Sequence, residues 1–274
     1  MTDRLLSVAP SPAFWVAAIA YAAAAAALLV ALAGNAGVRK LAIALVAVAF
    51  VAHGVDIGWR GTQHVHPAQS VREAVGLLAW IITGGYLLAN LRWRLTLGGA
   101  VVMPISLVML LVARLSPVGN DPALREPTDL SALGRIHISL ATVGVGVFAL
   151  ASALSAIYLI EDRALKAKRM ASLAFEDKGA PLDGLDRLSH RLVWIGFPIF
   201  TVAMVLGAIW VSELGESLDR LEYALAAVTW FAFAALLVAR QLYGWRGKRA
   251  ARLTLAGFAA ALAVLVIYLV RRLM

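Results

Sequence analysis

His137 stands two residues after Arg135, at the mouth of a long apolar segment that runs to about Ile160. An imidazole there can offer a ring nitrogen to a metal, and the Arg135 guanidinium can meet an anionic group beside it. The same histidine could instead hydrogen-bond a loop carbonyl at a helix start. His53 is followed at the third residue by Asp56. That spacing places both on one helix face, where the carboxylate could orient the imidazole or simply mark the membrane exit. His64 and His66 lie one residue apart in a loop-like stretch, Gly61 to Pro67. They could bind a surface metal but have no third ligand in sequence. His190 reads as a residue at the start of an apolar segment. Ionisable side chains in or near a membrane span are costly to keep, which makes each a functional candidate.

Other chemistry is thinly represented. The chain has no cysteine, which removes thiolate metal sites, iron–sulfur clusters, thiol catalysis and covalent thioether attachment to this chain. No phosphate-binding glycine loop, metalloprotease helix or nucleophile–base pair is present, so the chain is not expected to be an enzyme. Glu161, Asp162, Glu176 and Asp177 lie among lysines and arginines and read as solvated ion pairs. An ion or divalent-metal transporter fits poorly, because no apolar segment carries repeated carboxylates.

The elements that must position these groups are membrane helices. Hydrophobic residues make up 62% of the 274 and charged residues only 15%, against about 25% charged in soluble domains. A span needs about 20 mostly apolar residues, and eight segments qualify: 13–33, 38–57, 74–91, 95–115, 136–161, 190–212, 220–241 and 252–272. Alternating period-two patterning is absent, so the expected class is an all-α polytopic membrane bundle, with 1–274 as a single integral membrane domain. The first segment could be taken for a signal peptide ending at Ala31-Leu32-Ala33, but it is too long and lacks a basic leader, so it is expected to persist as a span.

The net charge of +9 comes from 25 basic residues, most of them in short stretches around 39–40, 92–94, 162–191 and 240–252. Under the positive-inside rule these are inner loops. Both termini then lie outside, and a basic cytoplasmic loop covers 162–189. The partner implied by this charge is the lipid bilayer, not nucleic acid. His53, Asp56, His64, His66 and His137 fall toward the outer side and His190 toward the inner. Trp59, Trp80, Trp194, Trp210 and Trp230 sit mostly near expected interfaces, where indoles favour the headgroup level. Trp210, at the outer end of the sixth span, is the one expected near a ligand. Gly144, Gly146, Gly196 and Gly207 permit close helix approach.

Several stretches resemble the cytochrome c assembly membrane proteins, the CcsA- and HemX-like haem-handling family. They are Arg135-Ile-His137-Ile-Ser-Leu-Ala with a helix ending Tyr158 to Lys166, then Leu185-Asp-Arg-Leu-Ser-His-Arg-Leu-Val-Trp-Ile-Gly-Phe-Pro198 and Leu206-Gly-Ala-Ile-Trp210. Further stretches are Tyr243-Gly-Trp-Arg-Gly-Lys-Arg-Ala-Ala-Arg252 with Leu255-Ala-Gly-Phe258, and Pro67 to Trp80 upstream. The resemblance spans roughly residues 60–270. It implies a multi-pass protein of the bacterial cytoplasmic (inner) membrane that binds or passes haem at its outer face and assists cytochrome c maturation. His137 would be the external haem ligand, Trp210 would flank the haem, and Arg135 or Arg60 would meet its propionates. Apocytochrome and other maturation proteins would be partners.

The chain also departs from the pattern. The outer loop Val211 to Glu222 contains neither tryptophan nor proline, Leu237-Val-Ala-Arg240 replaces an expected embedded histidine, and no second external histidine occurs near the C-terminus. His53 is therefore the candidate second ligand to haem iron. The alternative is a HemX-like regulator or scaffold that controls haem biosynthesis without transporting haem, docking a cytosolic haem-synthesis enzyme on 162–189.

Overall fold

The computed structural model describes residues 10–273 apart from 36, 64, 68–70, 94, 116–131, 167–181 and 216–219. Among them run α1 (Pro12–Leu32), α2 (Val38–Thr62), α3 (Val71–Arg92), α4 (Thr96–Leu115), α5 (Ala132–Lys166), α6 (Leu182–Glu213), α7 (Leu221–Tyr243) and α8 (Lys248–Leu273). All eight are long and apolar enough to cross a membrane. Helices satisfy every backbone group within the segment, which lipid demands. The chain separates into two compact units, one carrying α1–α4 and the other α5–α8.

The sequence sets these helices out with recognisable local chemistry. Ser11 caps α1 by accepting the Phe14 N–H at 3.1 Å, and Pro12 opens the first turn, where its missing donor costs nothing. α7 stops at Gly244, whose φ of 62° needs glycine, and the turn into α8 uses Gly247 at φ 65°. α5 and α6 run to 35 and 32 residues, about 52 and 48 Å, longer than a ~30 Å hydrocarbon core. Both exceed the apolar segments expected for them. Hydropathy marks only the lipid-embedded stretch, whereas the helices continue through polar turns that include Arg135 in α5 and Asp183 to Ser189 in α6. Of the basic segment 162–189, residues 162–166 belong to α5 and 182–189 to α6; residues 167–181 lie outside the described part.

In the first unit α1 packs along α2 and α4, and α3 along α4. Its exposed surface carries Ile19, Leu41, Val51, Leu88 and Val108. In the second, α5 packs along α6 and α8, and α7 along α8. Phe148 is at its centre, stacked on Phe233 at 3.7 Å between ring centroids and edge-on to Phe200 at 5.4 Å. The approach is close because Gly196 faces Phe148: a Cβ there would stand 3.0 Å from the ring.

Candidate functional site

At the N-terminal end of α5 and the C-terminal end of α6, two glycines and two aromatic rings interlock. On α5, Gly134 and His137 are three residues apart; on α6, Gly207 and Trp210 are three apart. The two pairs share helix faces and meet in opposite order. The His137 ring covers Gly207, where a Cβ would stand 2.5 Å from His137 Cε1 and 2.7 Å from Nδ1. The Trp210 ring covers Gly134, where a Cβ would stand 2.9 Å from Trp210 Cε2. The His137 and Trp210 rings lie 6.0 Å apart with a 41° tilt.

His137 Nδ1 lies 2.6 Å from the Ala203 carbonyl oxygen. A carbonyl only accepts, so Nδ1 carries the proton and donates it, leaving the Nε2 lone pair unused. Nε2 has no hydrogen-bond partner among the described residues and is not sealed in the interior. Arg135, half-buried two residues before it on α5, makes no side-chain hydrogen bond or ion pair among the described residues. A neutral imidazole with one nitrogen pinned and the other open is the form in which histidine ligates a metal.

His53 is in a different setting, inside the first unit. Its ring is fully buried, with Nδ1 3.1 Å from the Tyr21 hydroxyl, which is itself 3.1 Å from Thr83 Oγ1. Thr83 in turn reaches Ser106 at 3.0 Å. This seam joins all four helices of the unit. Nε2 of His53 is buried without a hydrogen-bond partner, so the ring would have to leave its enclosure to reach an iron.

Asp56 does not orient His53. Its carboxylate accepts from Ser11 at 2.6 Å and from Arg114 Nε at 2.9 Å. Arg114 also bonds Glu73 at 3.1 Å, and Glu73 takes both Nε and Nη2 of Arg60. Arg60 is therefore committed to an internal pair with Glu73. Sequence spacing linked Asp56 to its nearest helical neighbour, but the longer Arg114 side chain reaches it from α4 and provides charge compensation.

At the opposite end of the second unit His190 lines a small pocket with Tyr158, Asp186, Ser189 and Arg240. Arg240 grips Asp186 through both terminal nitrogens, at 3.0 and 2.6 Å, and Asp186 also accepts the Gly247 N–H at 3.0 Å. Nearby Asp162 pairs with Lys248 at 2.7 Å while staying largely buried, unlike the solvated pair expected for it. Trp80 and Trp230 bond inside the bundles, to the Phe50 carbonyl and Thr201 at 3.0 and 2.9 Å, and so are not simple belt residues. Trp59 and Trp194 are exposed. His64 lies outside the described residues, and among those described no group of three or more potential ligands gathers for a metal ion.

Among the described residues, eight helices are long and apolar enough to span a membrane, and a histidine and a tryptophan interlock between two of them, as befits a multi-pass membrane protein. The chain belongs to the cytochrome c assembly family: the family described as "Cytochrome C assembly protein" matches residues 69–274, which include His137, Arg135 and Trp210 but not His53. It is similar to the cytochrome c biogenesis protein CcsA of Porphyra purpurea, at 27% identity over 81% of this chain and 82% of the relative. The CcsA of Guillardia theta is 30% identical over 70% and 69%. That of Gloeobacter violaceus is 27% identical over 93% and 89%. No solved structure matches the chain.

Proposed function

We propose that this chain is a haem-handling protein of cytochrome c assembly, in which His137 offers Nε2 to haem iron at the outer face of a bacterial cytoplasmic membrane. The observation that carries the reading is the 2.6 Å bond from His137 Nδ1 to the Ala203 carbonyl. It fixes the tautomer a metal needs and leaves the ligating nitrogen open. Trp210 supplies an aromatic wall beside the imidazole, and Arg135 would supply a positive charge for a propionate. Bound haem would supply the iron and the vinyl groups that become attached to an apocytochrome. This chain contributes binding, orientation and exclusion of solvent and performs no bond-making of its own.

The test is the visible absorption spectrum of detergent-purified protein beside a His137→Ala variant. A Soret band in the parent that shifts or disappears in the variant supports the assignment. The same haem spectrum in both removes His137 as ligand. The distribution of basic residues supports both termini on the outer side, and a C-terminal fusion to a reporter fluorescent only in the cytoplasm should then stay dark; bright cells would reverse the orientation.

The second reading is a scaffold or regulator of haem biosynthesis. The stretch Leu237 to Arg240, which replaces an embedded histidine expected from the family resemblance, ends in an Arg240 held by Asp186 through both terminal nitrogens, which favours this reading. In that case a cytosolic haem-synthesis enzyme docks on 162–189. Retention of no such enzyme by that segment in a pull-down would count against it.

A further inference from the structure

We infer that Gly207 and the Ala203 carbonyl form a positioning device on α6 that holds His137 in the Nδ1–H tautomer and so selects Nε2 as its ligating atom. The inference deepens the haem-handling reading and rests on it only for the identity of the ligand; the device itself is a property of the protein without haem.

The argument begins with where a helix exposes its carbonyls. Ala203 O points along α6 toward the N–H of residue 207, four positions on, and a side chain at 207 would stand beside that oxygen. With glycine there, the oxygen is uncovered on the α5 side. The same missing Cβ gives the imidazole its seat, since a methyl at 207 would overlap Cε1 at 2.5 Å and Nδ1 at 2.7 Å. One residue therefore does two things: it opens the space for the ring and opens the acceptor for its proton.

The clash could not be absorbed as a flexible side-chain tip would absorb it. The contacted atoms belong to a rigid ring one bond from Cβ of His137, and Ala203 beneath is buried. A methyl at 207 must swing the ring about χ1 or χ2, and either motion breaks the 2.6 Å bond. Released from the carbonyl, a neutral histidine imidazole in water favours the Nε2–H tautomer, so the fraction with a free Nε2 falls and its direction is no longer fixed. Gly144 provides a contrast on the same helix pair. A Cβ there would meet the backbone and Cβ of Phe200 at 3.1–3.3 Å, which crowds α5 against α6 without touching His137 or its acceptor.

The experiment uses the full chain in detergent, labelled with ¹⁵N in histidine, without haem, and reads the His137 ring nitrogens by NMR. His137→Gln assigns the resonance. The parent should show a protonated Nδ1 and an unprotonated Nε2. Gly207→Ala should give mixed or reversed protonation, and Gly144→Ala should keep the parent pattern. In a haem titration followed at the Soret band, Gly207→Ala should bind on the order of 10- to 100-fold more weakly than the parent, the usual effect of losing a ligand's orienting partner. An Nε2–H ring in the parent overturns the device without reference to any variant's folding. It is equally overturned if Gly207→Ala leaves both the ring signals and the affinity unchanged. If the parent ring is Nδ1–H and the variant's is not, the device stands, and absence of haem binding in the parent then refutes the haem reading alone.

Discussion

Arg114 should be the most expensive single side chain to remove from the first unit. Its head is almost wholly buried, with Nε 2.9 Å from Asp56 and Nη1 3.1 Å from Glu73. In Arg114→Met the two carboxylates fare differently. Glu73 keeps both bonds from Arg60. Asp56 keeps only the Ser11 hydroxyl at 2.6 Å, a dipole where a full charge stood. Leaving a buried charge uncompensated costs about 3–5 kcal/mol, and a chain of this size loses roughly 2–4 °C of Tm per kcal/mol. The expected drop is thus on the order of 6–20 °C, followed by tryptophan fluorescence during a thermal ramp in detergent. Adding Asp56→Leu removes the stranded charge as well and should recover most of the loss, since an apolar replacement of a whole buried pair is often neutral. The reasoning fails if Arg114→Met lies within about 1 kcal/mol of the parent, or if the double variant is as unstable as the single one.

Asp186→Ala should destabilise the second unit by about 3–5 kcal/mol, because Arg240 is left buried with its partner gone; chemical denaturation beside the parent would check it, and an unchanged midpoint would show that Arg240 finds solvent. Gly196→Ala should cost about 1–3 kcal/mol by overpacking, since the added methyl meets Phe148 and Val147 at 3.0 Å. A parallel melt showing no loss would mean that the aromatic core yields more readily than its stacking suggests.

Much of this fold is legible in the sequence because lipid simplifies the problem. Ala-, Leu- and Val-rich runs of span length can form little but helices, and the eight segments read from hydropathy correspond to α1–α8. Their ends are less legible. Arg135 falls outside the apolar segment that begins at 136, yet α5 already runs from Ala132, which puts Gly134 on the helix and on the face of His137. The site is half legible. His137 stands out as an ionisable group beside a span, and Trp210 through the family resemblance. Gly207 was visible only as a packing residue. Its pairing with Trp210, matched by Gly134 with His137, was present as a repeated three-residue spacing, but its meaning depends on the antiparallel crossing of α5 and α6. Asp56 is legible as a polar group on the His53 face, but its partner is not, because helical spacing identifies neighbours on one helix, and nothing local marks Arg114, 58 positions away.

The most direct test of the central claim is chemical rescue of His137→Gly. The variant, purified in detergent and supplied with haem, should lack the parent's axial-ligand absorption spectrum, and added imidazole should restore it by filling the vacated seat above Gly207. A parent-like spectrum without imidazole, or no haem spectrum in the parent itself, would contradict the account of His137 as the haem ligand.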